Sequence, residues 1–107
     1  MKFERDEELI AFTQRLIRCR SYSGEEEGVV QILSEKFKEI GAEITIDRYG
    51  DIIACVKGDR HGPTILFDGH IDTVPVPDPS VWSHDPFGGE IADGKLYGRG
   101  KIGRAHV

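Results

Sequence analysis

The sequence predicts an α/β fold in which two helices precede three strands. Apolar residues recur at helical spacing through residues 6–40, and short apolar or alternating runs follow between residues 42 and 67. Two of the predicted strands form a hairpin, which is antiparallel, so the sheet is expected to be mixed rather than wholly parallel. Two helices that cover a mixed sheet fit one part of a three-layer α/β/α domain.

The two helices are predicted over residues 6–20 and 25–40. In the first, acidic residues gather in the first turn and arginines in the last, which the helix dipole favours. The second ends before Gly41, a natural C-terminal stop. Ser23 is followed three residues later by Glu26, a capping-box pattern, so Ser23 is the predicted N-cap of the second helix.

Three strands are predicted after the helices. Residues 42–47 alternate polar and apolar side chains, residues 52–56 are apolar, and a turn at 49–51 joins them into a hairpin. The third strand is the unbroken apolar run Ile65-Leu66-Phe67. Such a run is typical of a strand buried on both faces in the middle of a sheet.

His70 and Asp72 follow this third run and are the candidate site residues. Open α/β sheets bind ligands beyond the carboxyl ends of their strands. Side chains two residues apart on a strand point the same way, so the imidazole and the carboxylate are expected to lie side by side. A metal-binding histidine commonly donates its second ring N–H to a carboxylate, which suits this pair. The alternative is a surface triplet without function, because His-x-Asp is by itself a weak signal.

The chain leaves this candidate site through a stiff proline-rich segment, residues 75–79. Residues 89–97 are then predicted to form a hairpin with Asp93-Gly94 as its turn. Gly98-Arg99-Gly100 is expected to return the chain toward the site, since two glycines allow a close backbone approach.

The other residues that could bind a metal are better explained by their places in helices, loops and apolar segments. The three glutamates at 25–27 suit the first turn of a helix, and His84 beside Asp85 in a loop makes a poor ligand pair. Cys19 and Cys55 lie in apolar segments and are expected to be buried thiols. A cysteine-based zinc site would need paired Cys or His residues at short spacing.

Composition and charge indicate which partners and which location to expect. The chain has 107 residues, 38% of them hydrophobic and 31% charged, with a net charge of −5, as in an ordinary globular domain or part of one. It has no basic stripe with interleaved aromatic residues, so nucleic acid is not an expected partner. It has no apolar run long enough to span a membrane, and its first residues are acidic where a secretory signal would be hydrophobic. A cytoplasmic location is the resulting expectation.

Several motifs follow one another after residue 68: Gly69-His70-Ile71-Asp72-Thr73-Val74-Pro75, Trp82, Asp85-Pro86-Phe87 and residues 93–100. Their order and spacing resemble the N-terminal part of the peptidase M20 family. The resemblance covers the chain from about residue 6 to Gly100. Within the family, residues 74–79 and 82–90 look most like the branch named as selenium-metabolism-linked hydrolases.

The resemblance implies a zinc-exopeptidase-like α/β/α domain that hydrolyses an amide or peptide bond with metal-bound water. Family members are peptidases, deacylases and amidohydrolases with two divalent metal ions, usually zinc and sometimes cobalt. It implies that His70 is a metal ligand and that Asp72 orients it and is catalytic. The implied substrate is a small peptide or an N-acyl amino acid, and the intact protein is a candidate homodimer.

The C-terminal end departs from the family pattern. The family follows Gly-Arg-Gly with an aspartate that bridges the two metals, whereas no aspartate follows Asp93 here. Residues 102–107 resemble the translation of a sequencing-adapter oligonucleotide. We therefore predict that residues 1–101 are the N-terminal portion of an M20-type catalytic domain, inactive alone, and that residues 102–107 are an artefact or non-native tail. The alternative is a non-catalytic short interaction domain that retains part of the fold.

Overall fold

The computed structural model describes residues 6–99. Gly100 and the predicted tail, residues 102–107, lie outside the described residues, so the predictions made for them stay predictions. The elements in chain order are α1 (Asp6–Arg18), α2 (Glu27–Glu39), β1 (Glu43–Ile46), β2 (Ile52–Cys55), a 3₁₀ turn (Pro79–Val81), β3 (Ile91–Ala92) and β4 (Lys95–Leu96). Both predicted helices are confirmed, and α1 ends two residues and α2 begins two residues inside the predicted bounds.

The core is small and involves both helices. Within residues 6–99 the buried aliphatic side chains are Ile17 of α1, 8% exposed, and Val29 of α2, 4% exposed. Arg15 of α1 adds an ion pair with Glu35 of α2 at 3.2 Å. Both ends of this pair are exposed, so it contributes at most about 1 kcal/mol. None of the helices in the described part of the chain is long and apolar enough to cross a bilayer.

The hairpin of β1 and β2 is confirmed, and α2 packs against it. Its register pairs Glu43 with Cys55 and Ile46 with Ile52. The turn is held by Asp47, whose Oδ1 accepts hydrogen bonds from the backbone N–H groups of residues 49 and 51, both at 2.9 Å. A short polar side chain that bonds its own turn is the usual reason for aspartate at this position.

The hairpin of β3 and β4 is also confirmed, with Ile91 opposite Leu96 and Ala92 opposite Lys95. Asp93 and Gly94 form its two-residue turn with φ of 52° and 72°. Two consecutive positive φ values match the twist of the flanking strands, and aspartate followed by glycine tolerates them best.

The third predicted strand is not formed in the described residues, so this prediction is wrong. Ile65, Leu66 and Phe67 are 75%, 85% and 91% exposed, and they belong to no strand. The described residues form two separate two-stranded antiparallel sheets, so the predicted mixed sheet is not formed either. A strand of this type is stable only with neighbours on both edges and layers on both faces, and residues 6–99 supply neither.

Two smaller predictions also fail. Cys55, at the end of β2, is exposed, and Cys19, directly after α1, is only half-buried, so the predicted burial of both thiols is wrong. Ser23 is not the N-cap of α2: the N-cap is Glu26, which makes no side-chain capping bond to α2. The Glu26 carboxylate accepts a hydrogen bond from the backbone N–H of Gly24 instead, at 2.8 Å.

Candidate metal and catalytic site

His70 and Asp72 lie side by side, as predicted, although they follow an irregular segment rather than a strand. The Nδ1 atom of His70 lies 3.1 Å from Oδ1 of Asp72 and 3.0 Å from the Asp72 backbone oxygen. Two oxygens around Nδ1 favour the tautomer that carries its proton there. In that tautomer Nε2 keeps the lone pair that a metal ion would bind.

The second carboxylate oxygen of Asp72 has a partner that the sequence did not predict. The Ser23 hydroxyl donates a hydrogen bond to Asp72 Oδ2 at 2.6 Å. One oxygen of the carboxylate therefore contacts Ser23 and the other contacts His70. The only sequence signal for Ser23 was the loop between the helices, where a serine also fits a helix cap.

The Ser23 hydrogen bond is the largest cause that lowers the pKa of Asp72 below its ordinary value. Partial desolvation acts in the opposite direction, and the contact with His70 adds a smaller lowering. Hydrogen bonds to the ionised form stabilise it, so Asp72 remains an anion to lower pH than an isolated aspartate.

A backbone clamp fixes the loop between α1 and α2 to the site. The N–H of Thr73 donates to the carbonyl of buried Ser21 at 2.8 Å, and Tyr22 forms a parallel bridge with Thr73. Ser23 is the residue after Tyr22, and Asp72 is the residue before Thr73. The clamp therefore sets the distance between the hydroxyl and the carboxylate.

Arg99 closes the other side of the site, which confirms that the chain returns there. Its Nε donates to the Val74 carbonyl at 3.1 Å, and its Nη2 donates to the Pro75 carbonyl at 3.4 Å. Its guanidinium also lies 5.5 Å from the centroid of the Trp82 ring. Gly98, just before it, packs against Ile17 of α1.

Two open clefts meet at His70 and Asp72. One, of about 280 Å³, is also lined by Thr73, Arg99 and apolar side chains of α1 and α2. The other, of about 430 Å³, lies between β2 and residues 66–72 and carries several carboxylates. The His70–Asp72 pair therefore lines both clefts.

The described residues fit one ligand of a metal centre and not a complete one. Within residues 6–99 no three His, Cys, Asp or Glu side chains are grouped closely enough to hold a metal ion. Zinc sites use three or four protein ligands. His84 has other partners: its Nδ1 lies 2.6 Å from Glu90 Oε2, and its ring stacks on Tyr97 at 3.7 Å.

The carboxylates of the larger cleft repel one another. The pKa of Asp51 is raised, first by the charge of Asp47 and then by slight desolvation, with smaller contributions from Asp68 and Glu26. A raised pKa means that the folded state disfavours the ionised form.

We expect Asp51→Asn to stabilise the chain at neutral pH. The repulsion is absent below the ordinary pKa of 3.8, where Asp51 is protonated in both states, and complete above the higher folded pKa. The urea midpoint of the variant should therefore exceed that of the unsubstituted chain at pH 7, and the two should converge on acidification. Asp59→Asn, at an exposed loop position, is the control. A difference that does not change with pH would contradict this explanation.

Comparison with known proteins points to the segment that contains the candidate site. Residues 66–105 match the model of peptidase family M20/M25/M40, and this match includes His70 and Asp72. Succinyl-diaminopimelate desuccinylase 2 of a Ruegeria species is 44% identical over 94 residues, which are 85% of this chain and 24% of that protein. The chain belongs to the M20 peptidase family.

Other M20 relatives agree with this assignment. A succinyl-diaminopimelate desuccinylase of Cereibacter sphaeroides is 44% identical over 94 residues, or 85% of this chain and 25% of that protein. One from Methylorubrum populi is 35% identical over 103 residues, or 91% of this chain and 27% of that protein. The chain thus spans about a quarter of the length of these M20 relatives. The narrower resemblance to selenium-metabolism-linked hydrolases stays a prediction.

Proposed function

We propose that this chain carries part of the catalytic site of a metal-dependent amide hydrolase. The observation that supports it is the His70–Asp72 pair, in which Nδ1 faces the carboxylate, within the residues that match the M20 model. The names of the relatives favour an N-succinyl amino acid as substrate, and the family also fits other N-acyl amino acids and small peptides.

In this proposal His70 binds a divalent metal ion through Nε2, and Asp72 holds the proton on Nδ1 and orients the ring. Zinc is the first choice and cobalt the second, with two ions in the functional protein. A bound metal would lower the pKa of a coordinated water and polarise the scissile carbonyl. Because a zinc centre needs three or four protein ligands, we propose that the other ligands and the general base lie outside residues 6–99.

Further features belong to the same proposal. They are the three-layer α/β/α arrangement, a cytoplasmic location, a homodimer, and a domain portion ending at residue 101. Neither nucleic acid nor a membrane is proposed as a partner. In a complete domain of this type, Ile65, Leu66 and Phe67 would lie inside the sheet, which accounts for their apolar character.

The proposal predicts metal-dependent hydrolysis by the product of the reading frame that encodes this chain, expressed to its stop codon. The purified protein, loaded with Zn²⁺ or Co²⁺, should release succinate from an N-succinyl amino acid. A chelator should abolish turnover, and added metal should restore it. N-acetyl amino acids and dipeptides in the same assay define the substrate class. If the protein, with His70 intact, takes up no metal and hydrolyses none of these substrates, the proposal is ruled out.

The second candidate is a non-catalytic interaction domain. Two observations favour it: the incomplete ligand set within residues 6–99 and the exposed Ile65-Leu66-Phe67 segment. Exposed apolar patches commonly mark interaction surfaces. A stop codon directly after Val107, with a soluble, monomeric product that binds no metal, would favour this candidate over the hydrolase.

A further inference from the structure

We propose that Ser23 is a positioning residue that holds the Asp72 carboxylate in the orientation that His70 requires. Its effect on turnover rests on the proposed hydrolase function, whereas its effect on the Asp72 side chain does not. Ser23 and Asp72 are 49 residues apart in the sequence, and the hydroxyl meets the carboxylate at 2.6 Å. No helix or strand requires this contact.

The hydrogen bonds of Asp72 divide between its two oxygens. Ser23 donates to Oδ2 at 2.6 Å, and His70 Nδ1 lies 3.1 Å from Oδ1. The Asp72 side chain can rotate about two torsion angles, χ1 and χ2. One contact leaves much of that rotation open, whereas contacts at both oxygens restrict it. Losing Ser23 would therefore let Oδ1 leave the His70 ring without altering either residue of the pair.

Ser23 is itself held by the backbone on either side. Tyr22, its neighbour, bridges to Thr73, the neighbour of Asp72, and the Tyr22 carbonyl also accepts from the N–H of Glu25 at 2.7 Å. The clamp lies one residue from each partner of the hydrogen bond. The approach of the hydroxyl to the carboxylate is therefore built into the fold of the loop.

A purely structural role as a helix cap does not account for Ser23. The N-cap of α2 is Glu26, and the Ser23 hydroxyl is directed at Asp72. Replacing Ser23 should therefore leave the end of α2 unchanged. This separates an effect on the site from an effect on helix stability.

The test compares Ser23→Ala and Ser23→Thr with a matched control, Ser80→Ala. Ser80 also donates from its hydroxyl to an aspartate, Asp78, at 2.6 Å, in the 3₁₀ turn and outside the candidate site. Three-bond couplings to the Asp72 side-chain carboxyl carbon, measured on the 107-residue chain, report its χ1 rotamer. Steady-state kinetics on the product of the whole reading frame, with Zn²⁺ and an N-succinyl amino acid, report turnover.

We expect Ser23→Ala to average the Asp72 rotamers and to lower kcat about 10-fold, the lower end for loss of a partner outside the metal's own ligands. KM should change little, because Ser23 is not proposed to touch substrate. Ser23→Thr keeps the hydroxyl and should restore both readouts, and Ser80→Ala should alter neither.

The positioning role is overturned if Ser23→Ala leaves the Asp72 couplings as they are in Ser80→Ala. It is also overturned if kcat falls equally in the alanine and threonine variants, which would indicate a packing effect. If the unsubstituted protein hydrolyses nothing, the proposed function fails instead, and the couplings still decide whether Ser23 orients Asp72.

Discussion

Replacing His70 with alanine should abolish metal-dependent turnover by the product of the full reading frame. His70 is the candidate ligand, and its Nδ1 lies 3.1 Å from the Asp72 carboxylate, which leaves Nε2 as the atom proposed to bind the metal. Loss of an outer partner of a ligand typically costs roughly 10- to 100-fold in metal affinity or activity. Removing the ligand itself should cost more, because a metal centre of three or four protein ligands then lacks one of them.

Two measurements check this expectation. Metal content after dialysis should fall in His70→Ala, and kcat should fall below the range expected for loss of an outer partner. His61→Ala is the matched control, because His61 is an exposed loop histidine 9 positions earlier in the chain. Equal metal content and equal turnover in the two variants would show that His70 is not a ligand.

Gly98→Ala should destabilise the fold and loosen the site at the same time. A Cβ at position 98 would collide with Cγ2 of Ile17, and Cδ1 and Cβ of the same side chain lie 3.2 Å and 3.4 Å away. Ile17 belongs to the small core, so displacing its side chain would disturb that core. Overpacking of this kind typically costs about 1–3 kcal/mol.

The consequence for the site follows from the next residue. Arg99 bonds the Val74 and Pro75 carbonyls, directly after the candidate site residues. Moving position 98 away from α1 would strain those bonds. Urea unfolding should show a lower midpoint for Gly98→Ala than for Gly62→Ala, whose added Cβ would meet nothing within 4 Å. Equal midpoints would mean that the close approach to Ile17 does not limit stability.

Local features of the fold could be predicted from the sequence because short-range interactions decide them. Asp93-Gly94 specifies its turn through the φ values that these two residues tolerate. The two helices follow from apolar spacing and charged ends. His70 and Asp72 are two residues apart, so their side chains can meet even without the strand that was predicted to orient them.

The errors concern features that need partners distant in the sequence. The run Ile65-Leu66-Phe67 has the composition of a buried strand, but composition supplies neither neighbouring strands nor covering layers. Ser23 has the sequence context of a helix cap, yet its hydroxyl bonds a carboxylate 49 residues away. Local propensity cannot rank a cap against a tertiary partner whose position is unknown.

The sequence by itself determined the helices, both hairpin turns, and the pairing of an imidazole with the carboxylate two residues later. Each of these is encoded by residues only a few positions apart, so it can be predicted without knowing the path of the whole chain. Only the tertiary structure decided which side chains complete the pair. Ser23 reaches Asp72 because the Tyr22–Thr73 bridge brings the loop between the helices to the site, and such a closure depends on the path of the whole chain.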